Sequence, residues 1–135
     1  MQRLTISIDD ELAEQFERWS ERKGYDNRSE AFRDLLRREL GDEQIQSDPS
    51  SPCVATLTYL YDHHERTLSL RLMDMQHDHH DLTVSSMHAH LEHDLCVETV
   101  ILKGPAGEVR AFAHAVLAER GVRQGQLHLV PLHQV

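Results

Sequence analysis

Long apolar runs, aromatic residues and cysteines are all scarce in this chain of 135 residues. Aromatic residues make up 5% of the sequence and apolar residues 39%, which excludes a large independent core and makes self-association expected from size alone. No stretch approaches the roughly 18 apolar residues of a membrane span, and the first residues lack the apolar run of a signal peptide. We therefore expect a cytoplasmic protein with no membrane partner.

The only two cysteines, Cys53 and Cys96, lie far apart in the sequence. A disulfide between them is disfavoured in a reducing compartment, so each is better interpreted as a metal ligand or a buried core residue.

Basic residues are outnumbered, and histidine is unusually abundant. The chain has 14 Lys and Arg residues and 23 Asp and Glu residues, which gives a net charge of −9. Any DNA contact must therefore come from a local stripe of basic residues and not from the overall charge. Of the 11 histidines, six fall within 17 residues of each other: His77, His79, His80, His88, His90 and His93.

Residues 1–41 have the pattern of one strand followed by two helices. Residues 2–8 alternate apolar and polar side chains, as a half-buried strand does. A helix follows and closes at Gly24, and residues 27–30 have the spacing of a capping box for a second helix that stops at Gly41. These three elements cannot close a core and leave the strand edges unpaired, so we predict that two copies pair strand to strand.

The paired strands would expose Arg3, Thr5 and Ser7 together, which we call the polar ribbon face. A two-stranded ribbon fits the major groove of DNA, where Arg reads guanine and Thr or Ser reads several base edges. Arg28 and Ser29, at the start of the second helix, could hold a phosphate through charge and backbone N–H groups. The alternative is an ordinary solvated strand face, and the capped helix pair that follows favours DNA binding.

Residues 42–52 are polar and rich in Pro and Ser, and are predicted to form a linker. The patterns beyond it are strand 53–62, helix 64–76, strands 82–93 and 95–103, helix 106–120 and strand 122–132. This β-α-β-β-α-β order is the split βαβ arrangement of ferredoxin-like folds. The predicted fold class is therefore α+β, with a DNA-binding domain over residues 1–41 and a second domain over residues 53–135.

A candidate metal site lies in the second domain. His88 and His90 are two residues apart in a strand pattern, so their imidazoles project from one face about 7 Å apart. Cys96 begins the returning strand with matching parity, so a hairpin can bring two nitrogens and a thiolate together. These donors suit Zn, Cu, Ni or Co and exclude Ca or Mg, but spacing does not name the metal. His77, at a helix end, is a further candidate ligand.

These residues resemble a known family. The opening MQRLTISIDDELAEQFERWSERKGYDNRSEAFRDLLRREL closely resembles the ribbon-helix-helix half of the nickel-responsive repressors of the NikR type. The segment QHDHHDLTVSSMHAHLEHDLC resembles the metal-binding stretch of that family. LKGPAGEV and ERGVRQGQL resemble its later helix and its final strand, so the resemblance covers essentially the whole chain except the linker.

The resemblance implies a homotetramer, in which two DNA-binding dimers flank a core of four ACT-like regulatory domains. It implies one Ni(II) per chain, bound square-planar by His88, His90 and Cys96 of one chain and His77 of another. It also implies an operator of double-stranded DNA, with the polar ribbon face in the base-reading positions, and repression of nickel-uptake genes when nickel is plentiful.

The resemblance further implies a second cation site. Glu30 and Asp34 match positions that, with backbone carbonyls around residues 117–122, form an interdomain cation site when DNA is bound. No family role is implied for Cys53, and His63 and His64 could serve as ligands for other metals.

Three alternatives stay open at this point. The nearest is a ribbon-helix-helix repressor that responds chiefly to Zn, Co or Cu. A toxin–antitoxin antidote protein is disfavoured, because a patterned domain follows the DNA-binding half where a disordered tail would be usual. A metalloenzyme is also disfavoured, since no carboxylate is obviously placed as a general base, although Glu92, Asp94 and Glu98 are close in sequence. We predict no enzyme and no catalytic residues.

Overall fold

The computed structural model describes residues 1–133, apart from the side chain of Arg66, as two compact units: unit 1, Met1–Glu39, and unit 2, Leu40–Val135. Residues 134 and 135, at the end of the predicted second domain, lie outside the described residues. Among residues 1–133, no helix has both the length and the apolar character needed to cross a membrane. The elements are α1 (Asp10–Arg22), α2 (Arg28–Ser47), β1 (Pro52–Tyr61), α3 (Arg66–Asp78), β2 (Thr83–His90), β3 (Cys96–Pro105), α4 (Ala106–Leu117) and β4 (Val122–Pro131).

The two helices of unit 1 begin at polar caps, as the sequence predicts. Oδ1 of Asp9 accepts a 2.8 Å hydrogen bond from the backbone N–H of Leu12, and Oδ1 of Asn27 accepts one of 2.8 Å from that of Glu30. Each cap satisfies a backbone donor that the first turn of a helix leaves without a partner. Gly24 follows α1 at φ 81°, a left-handed conformation that glycine adopts without steric cost.

The predicted strand over residues 2–8 is absent from the single chain, where residues 1–9 have no regular secondary structure. Its apolar side chains stay exposed, with Leu4 at 72%, Ile6 at 55% and Ile8 at 47%. The physical reason is that a strand needs a hydrogen-bonded neighbour. No strand lies among the described residues of unit 1, so the predicted pairing needs a second copy.

Helix α2 runs through the predicted stop at Gly41 and ends at Ser47, so the first half of the predicted linker 42–52 is helix instead. Ile45 is buried in the core of unit 2, and its carbonyl accepts a 3.1 Å hydrogen bond from Nη1 of Arg110. These tertiary contacts outweigh the roughly 1 kcal/mol that a glycine costs in a helix interior.

Unit 2 contains a four-stranded antiparallel sheet in the order β2-β3-β1-β4. β3 lies between β1 and β2, the two strands that α3 connects, so the sheet has the split βαβ topology. The predicted order of elements in this domain is confirmed, and so is the α+β fold class. Element ends differ by a few residues, for example at β2, which stops at His90 before the hairpin turn.

The core of unit 2 joins the sheet to both of its helices. β1 buries every second residue from Cys53 to Tyr61, and β3 buries Cys96 and alternate residues after it. We call this side of the sheet the inward face. The core residues that α3 and α4 supply include Leu68, Leu72, Val109, Phe112 and Val116.

Candidate metal centre and DNA-contacting segment

The hairpin of β2 and β3 brings the three sequence-predicted donors of one chain to the same end of the sheet. His90 pairs directly with Cys96, and His88 pairs with Glu98. Residues that pair across a ladder, or alternate along a strand, share a face. His88, His90 and Cys96 therefore all lie on the inward face.

The thiol and the two imidazoles of this hairpin differ in exposure. Cys96 is fully buried, whereas His88 and His90 are exposed on the edge strand β2. The ring centroids of the two histidines are 5.6 Å apart. The thiol is thus shielded from solvent at the margin of the core, and both imidazoles remain open to a ligand.

A buried polar network lies beside these donors on the inward face. Nε2 of Gln76 donates to Oε1 of Glu98, and the hydroxyl of Tyr61 donates to Oε2 of the same carboxylate at 3.3 Å. Nε2 of Gln76 also lies 3.4 Å from the hydroxyl of Tyr59. Burial raises the pKa of Tyr59 and of Tyr61 far above the ordinary value for tyrosine, so both keep their protons as donors.

The network ties the last turn of α3 to the strand that carries Cys96. Gln76 immediately precedes His77 in that turn, and Glu98 pairs with His88 in the sheet. The sequence alone suggests Glu98 only as a possible catalytic base, whereas the structure shows that its carboxylate accepts hydrogen bonds from Gln76 and Tyr61. The alternation of β3 does indicate this role, because Glu98 lies two residues after Cys96 and two before Val100 and therefore shares their buried side of the strand.

His63 lies in the loop after β1 and packs edge-on against His90, with ring centroids 4.3 Å apart. Its Nδ1 is buried and has no hydrogen-bond partner among the described residues. Burial lowers the pKa of His63, and repulsion from a protonated His64 or His90 lowers it further. The ring is therefore a neutral imidazole beside a predicted ligand.

Three donor atoms gather within 4.8 Å of one another in two groups among residues 1–133: Asp62, His63 and His64, and His64, His93 and Asp94. Both groups lie next to the hairpin, and neither contains Cys96 or His77.

His77 is exposed in the last turn of α3, where it is accessible to a second chain.

Two residues whose roles the sequence left open, His79 and Cys53, make contacts within unit 2. Nδ1 of His79 lies 2.9 Å from the carbonyl of Met75, and its ring packs on Phe112. Cys53 is fully buried in the core, and burial raises the pKa of its thiol.

In unit 1 the polar and apolar residues of the N-terminal segment have different surroundings. Arg3, Thr5 and Ser7 are exposed. The apolar residues between and after them line a groove with residues of both helices, among them Leu4, Ile6, Ile8, Leu12, Phe16 and Phe32. The side chains of the polar ribbon face are therefore accessible to a binding partner.

The remaining predicted residues of unit 1 lie in the first two turns of α2. Arg28 forms an ion pair with Glu17, and Ser29 and Glu30 follow it in the first turn. Asp34 accepts a 2.7 Å hydrogen bond from the hydroxyl of Tyr25, which raises the pKa of that tyrosine. The carboxylate of Asp34 is also 3.1 Å from Nη1 of Arg37.

Comparisons with known proteins match both units. Residues 54–130 match the family described as the NikR C terminal nickel binding domain, and residues 2–43 match the ribbon-helix-helix proteins of the copG family. A protein of Rhizobium rhizogenes named "Putative nickel-responsive regulator" is 50% identical over 131 residues, which cover 97% of this chain and 90% of that protein.

One solved structure, the uncharacterized protein TM1266 of Thermotoga maritima, is similar over 61% of this chain and 99% of its own. Its TM-score is 0.49 and its sequence identity is 13%.

Proposed function

This chain belongs to the NikR family of nickel-responsive regulators, and we propose that it binds an operator in double-stranded DNA and represses nickel-uptake genes when Ni(II) is bound. Family matches to both halves support the proposal, as does the name of the relative from Rhizobium rhizogenes. The structural observation that carries it is the direct pairing of His90 with Cys96.

We assign His88, His90 and Cys96 of one chain as ligands of one Ni(II), with His77 of a second copy as the fourth. Two imidazoles and a thiol on one face fit nickel, because borderline and soft donors suit the late divalent transition metals. The exposure of His77 supports a ligand that serves another chain. When bound, Ni(II) supplies a link between chains that exists only in the metal-loaded state.

The buried network gives the chain a means to use that link. Gln76 and Glu98 hold the end of α3 against β3, so His77 and the hairpin donors are attached to one packed body. A metal acts as a switch only if it favours one of two states. A ligand set shared between chains favours one arrangement of those chains, and the ribbon-helix-helix pairs follow it.

The DNA-binding part of the proposal rests on unit 1. Pairing of two N-terminal segments would bury Leu4, Ile6 and Ile8 and leave the polar ribbon face outward. Arg28 and Ser29 would then meet phosphates at the start of α2, and Glu30 and Asp34 are proposed for the second cation site. The acidic chain makes these local contacts decisive, since its net charge is −9.

Association beyond a dimer is supported by the side of the sheet opposite the inward face, which we call the outward face. Apolar side chains on it are exposed, Met87 to 73%, Val130 to 45% and Ile101 to 38%. A face of this kind favours packing against other chains. We propose the homotetramer, a dimer of dimers, on this ground together with family membership.

The test is DNA binding by the full-length protein on duplexes selected from a random pool, titrated in parallel with Ni, Zn, Co and Cu. We expect nickel to promote specific binding most strongly. Arg3→Ala and Thr5→Ala should lose specific DNA binding, because each removes a side chain of the polar ribbon face, and a bidentate Arg–guanine contact alone contributes about 1–3 kcal/mol. Both variants should keep their nickel stoichiometry, because neither residue is a proposed nickel ligand. Arg123→Ala, at an exposed arginine of β4, is the matched control and should bind normally.

Activation by zinc, cobalt or copper in place of nickel would identify a regulator of another metal. Normal footprints from both ribbon variants would show that the ribbon does not read DNA.

A further inference from the structure

Two histidines and two aspartates converge where β1 ends and the β2–β3 hairpin turns, outside the proposed nickel ligands. Nδ1 of His64 lies 3.2 Å from Oδ1 of Asp94 and 3.4 Å from Oδ1 of Asp62. Nε2 of His93 lies 3.9 Å from the same oxygen of Asp94. The imidazole centroids of His64 and His93 are 5.1 Å apart. These donors come from two separate segments of the chain.

The separations match those of ligands around one small cation. Zn(II) binds His nitrogen and carboxylate oxygen at about 2.0–2.2 Å, so two tetrahedral ligands are roughly 3.4 Å apart. The 3.2 Å between His64 and Asp94 is close to this value. The longer distance to His93 can shorten by rotation, because the side chain of His93 is 90% exposed.

The chemistry of the group selects the class of metal. Two imidazoles exclude Ca(II) and Mg(II), and the absence of a thiolate from this donor set separates it from the Cys96 centre. The carboxylates of Asp62 and Asp94 both approach the one Nδ1 of His64. A divalent cation at this point would be attracted by the negative charges of both carboxylates.

We propose that His64, His93 and Asp94 form a second metal site of the chain, one that takes Zn(II) through two nitrogens and one oxygen. Zn(II) has no geometric preference from its d electrons and accepts a tetrahedral set completed by water. Its occupancy joins the loop after β1 to the turn between His90 and Cys96. The site shares no ligand with the proposed nickel centre, so neither assignment depends on the other.

The experiment uses the full-length Cys96→Ser protein, which lacks the thiolate of the nickel centre. Calorimetry should detect one Zn(II) per chain. Co(II) should give the visible bands of a four-coordinate site without a sulfur charge-transfer band. His64→Gln and His93→Gln in this background should each weaken Zn(II) binding by roughly tenfold or more, since even loss of an outer-shell partner costs about that much. His114→Gln, at an exposed histidine of α4, is the control and should bind like the parent.

Unchanged Zn(II) affinity in both cluster variants would overturn the proposal and leave these contacts as surface ion pairs only. An equal loss in His114→Gln would overturn it as well, by showing non-specific binding to surface imidazoles. A nickel titration of His64→Gln with Cys96 intact keeps the two assignments apart. Its sulfur charge-transfer band should persist, and absence of that band from the unsubstituted protein as well would contradict only the nickel centre.

Discussion

The two cysteines show how surroundings assign different roles to the same side chain. Cys53 pairs with Gly104 on one side and Pro131 on the other, inside the sheet, and burial raises the pKa of its thiol. That environment disfavours the thiolate, the form that binds metals. Cys96 is also buried, but its partner in the ladder is His90 on the edge strand. We therefore propose Cys96 as a metal ligand and Cys53 as a residue of the packed core.

Replacing Cys96 by Ser is predicted to abolish the thiolate-to-nickel charge-transfer band and to weaken Ni(II) binding by orders of magnitude. His88→Ala and His90→Ala should weaken binding similarly, because each removes one donor of the set. The measurements are nickel titrations followed by absorption and calorimetry.

Cys53→Ala is the matched control for the thiol. It should keep the charge-transfer band and lose only about 1 kcal/mol of stability through a small cavity. Tight, sulfur-ligated nickel in Cys96→Ser would rule out the ligand assignment.

The sequence predicted the shared face of His88, His90 and Cys96, because side-chain direction in a strand depends only on parity. Parity does not give contacts between segments that are distant along the chain. The packing of His63 on His90 and the approach of His64 to Asp94 both depend on how the loop after β1 meets the hairpin turn. Those positions emerged only from the fold.

At the level of secondary-structure elements, α3 and β3 are coupled through the carboxylate of Glu98. Gln76→Leu keeps the approximate size of the side chain and removes the donor to this buried group. We expect a loss of about 1–3 kcal/mol in the free energy of unfolding, the cost of a buried polar group left short of a partner. Nickel affinity should also fall with the sulfur band retained, because the end of α3 would no longer be held against β3.

Arg71→Gln is the control on the same helix. Arg71 pairs with Glu119 at 3.0 Å in a partly exposed contact, so its loss should cost under about 1 kcal/mol and leave nickel binding unchanged. Equal effects from the two variants, in urea unfolding and in nickel titration, would contradict a special role for the Glu98 network.

Periodicity predicted most helices and strands, and it failed where the outcome depends on another part of the molecule. The six elements of unit 2 follow the predicted order, since each has its own apolar pattern. Helix α2 was predicted too short because Gly41 and a polar composition indicated a stop, whereas Ile45 packs into a core built by later residues. The strand over residues 2–8 needs a second chain as its pairing partner. The alternating pattern of the sequence suggests this strand, but a single chain does not form it.

At the scale of the whole molecule, the proposed function requires nickel to be shared between chains. The hairpin donors belong to β2 and β3, whereas His77 is in the last turn of α3 and lies in neither of the donor groups that form among residues 1–133. A ligand set completed within one chain and a set completed between chains would contain the same residue types. The two arrangements differ in how mutant chains behave when they are mixed.

We predict that a His77→Ala chain and a Cys96→Ala chain complement each other after co-refolding. Each homo-oligomer lacks one donor at every site, so neither should show tight, four-donor nickel binding. A mixed interface pairs the intact His77 of the Cys96→Ala chain with the intact hairpin of the His77→Ala chain, which completes one site in every two. Nickel titration of isolated hetero-oligomers should therefore recover tight, sulfur-ligated binding at about half the sites. A site built within one chain leaves every chain short of a donor and predicts no recovery. No recovery in verified hetero-oligomers would exclude the shared site, and the link between nickel and chain arrangement would have to be sought elsewhere.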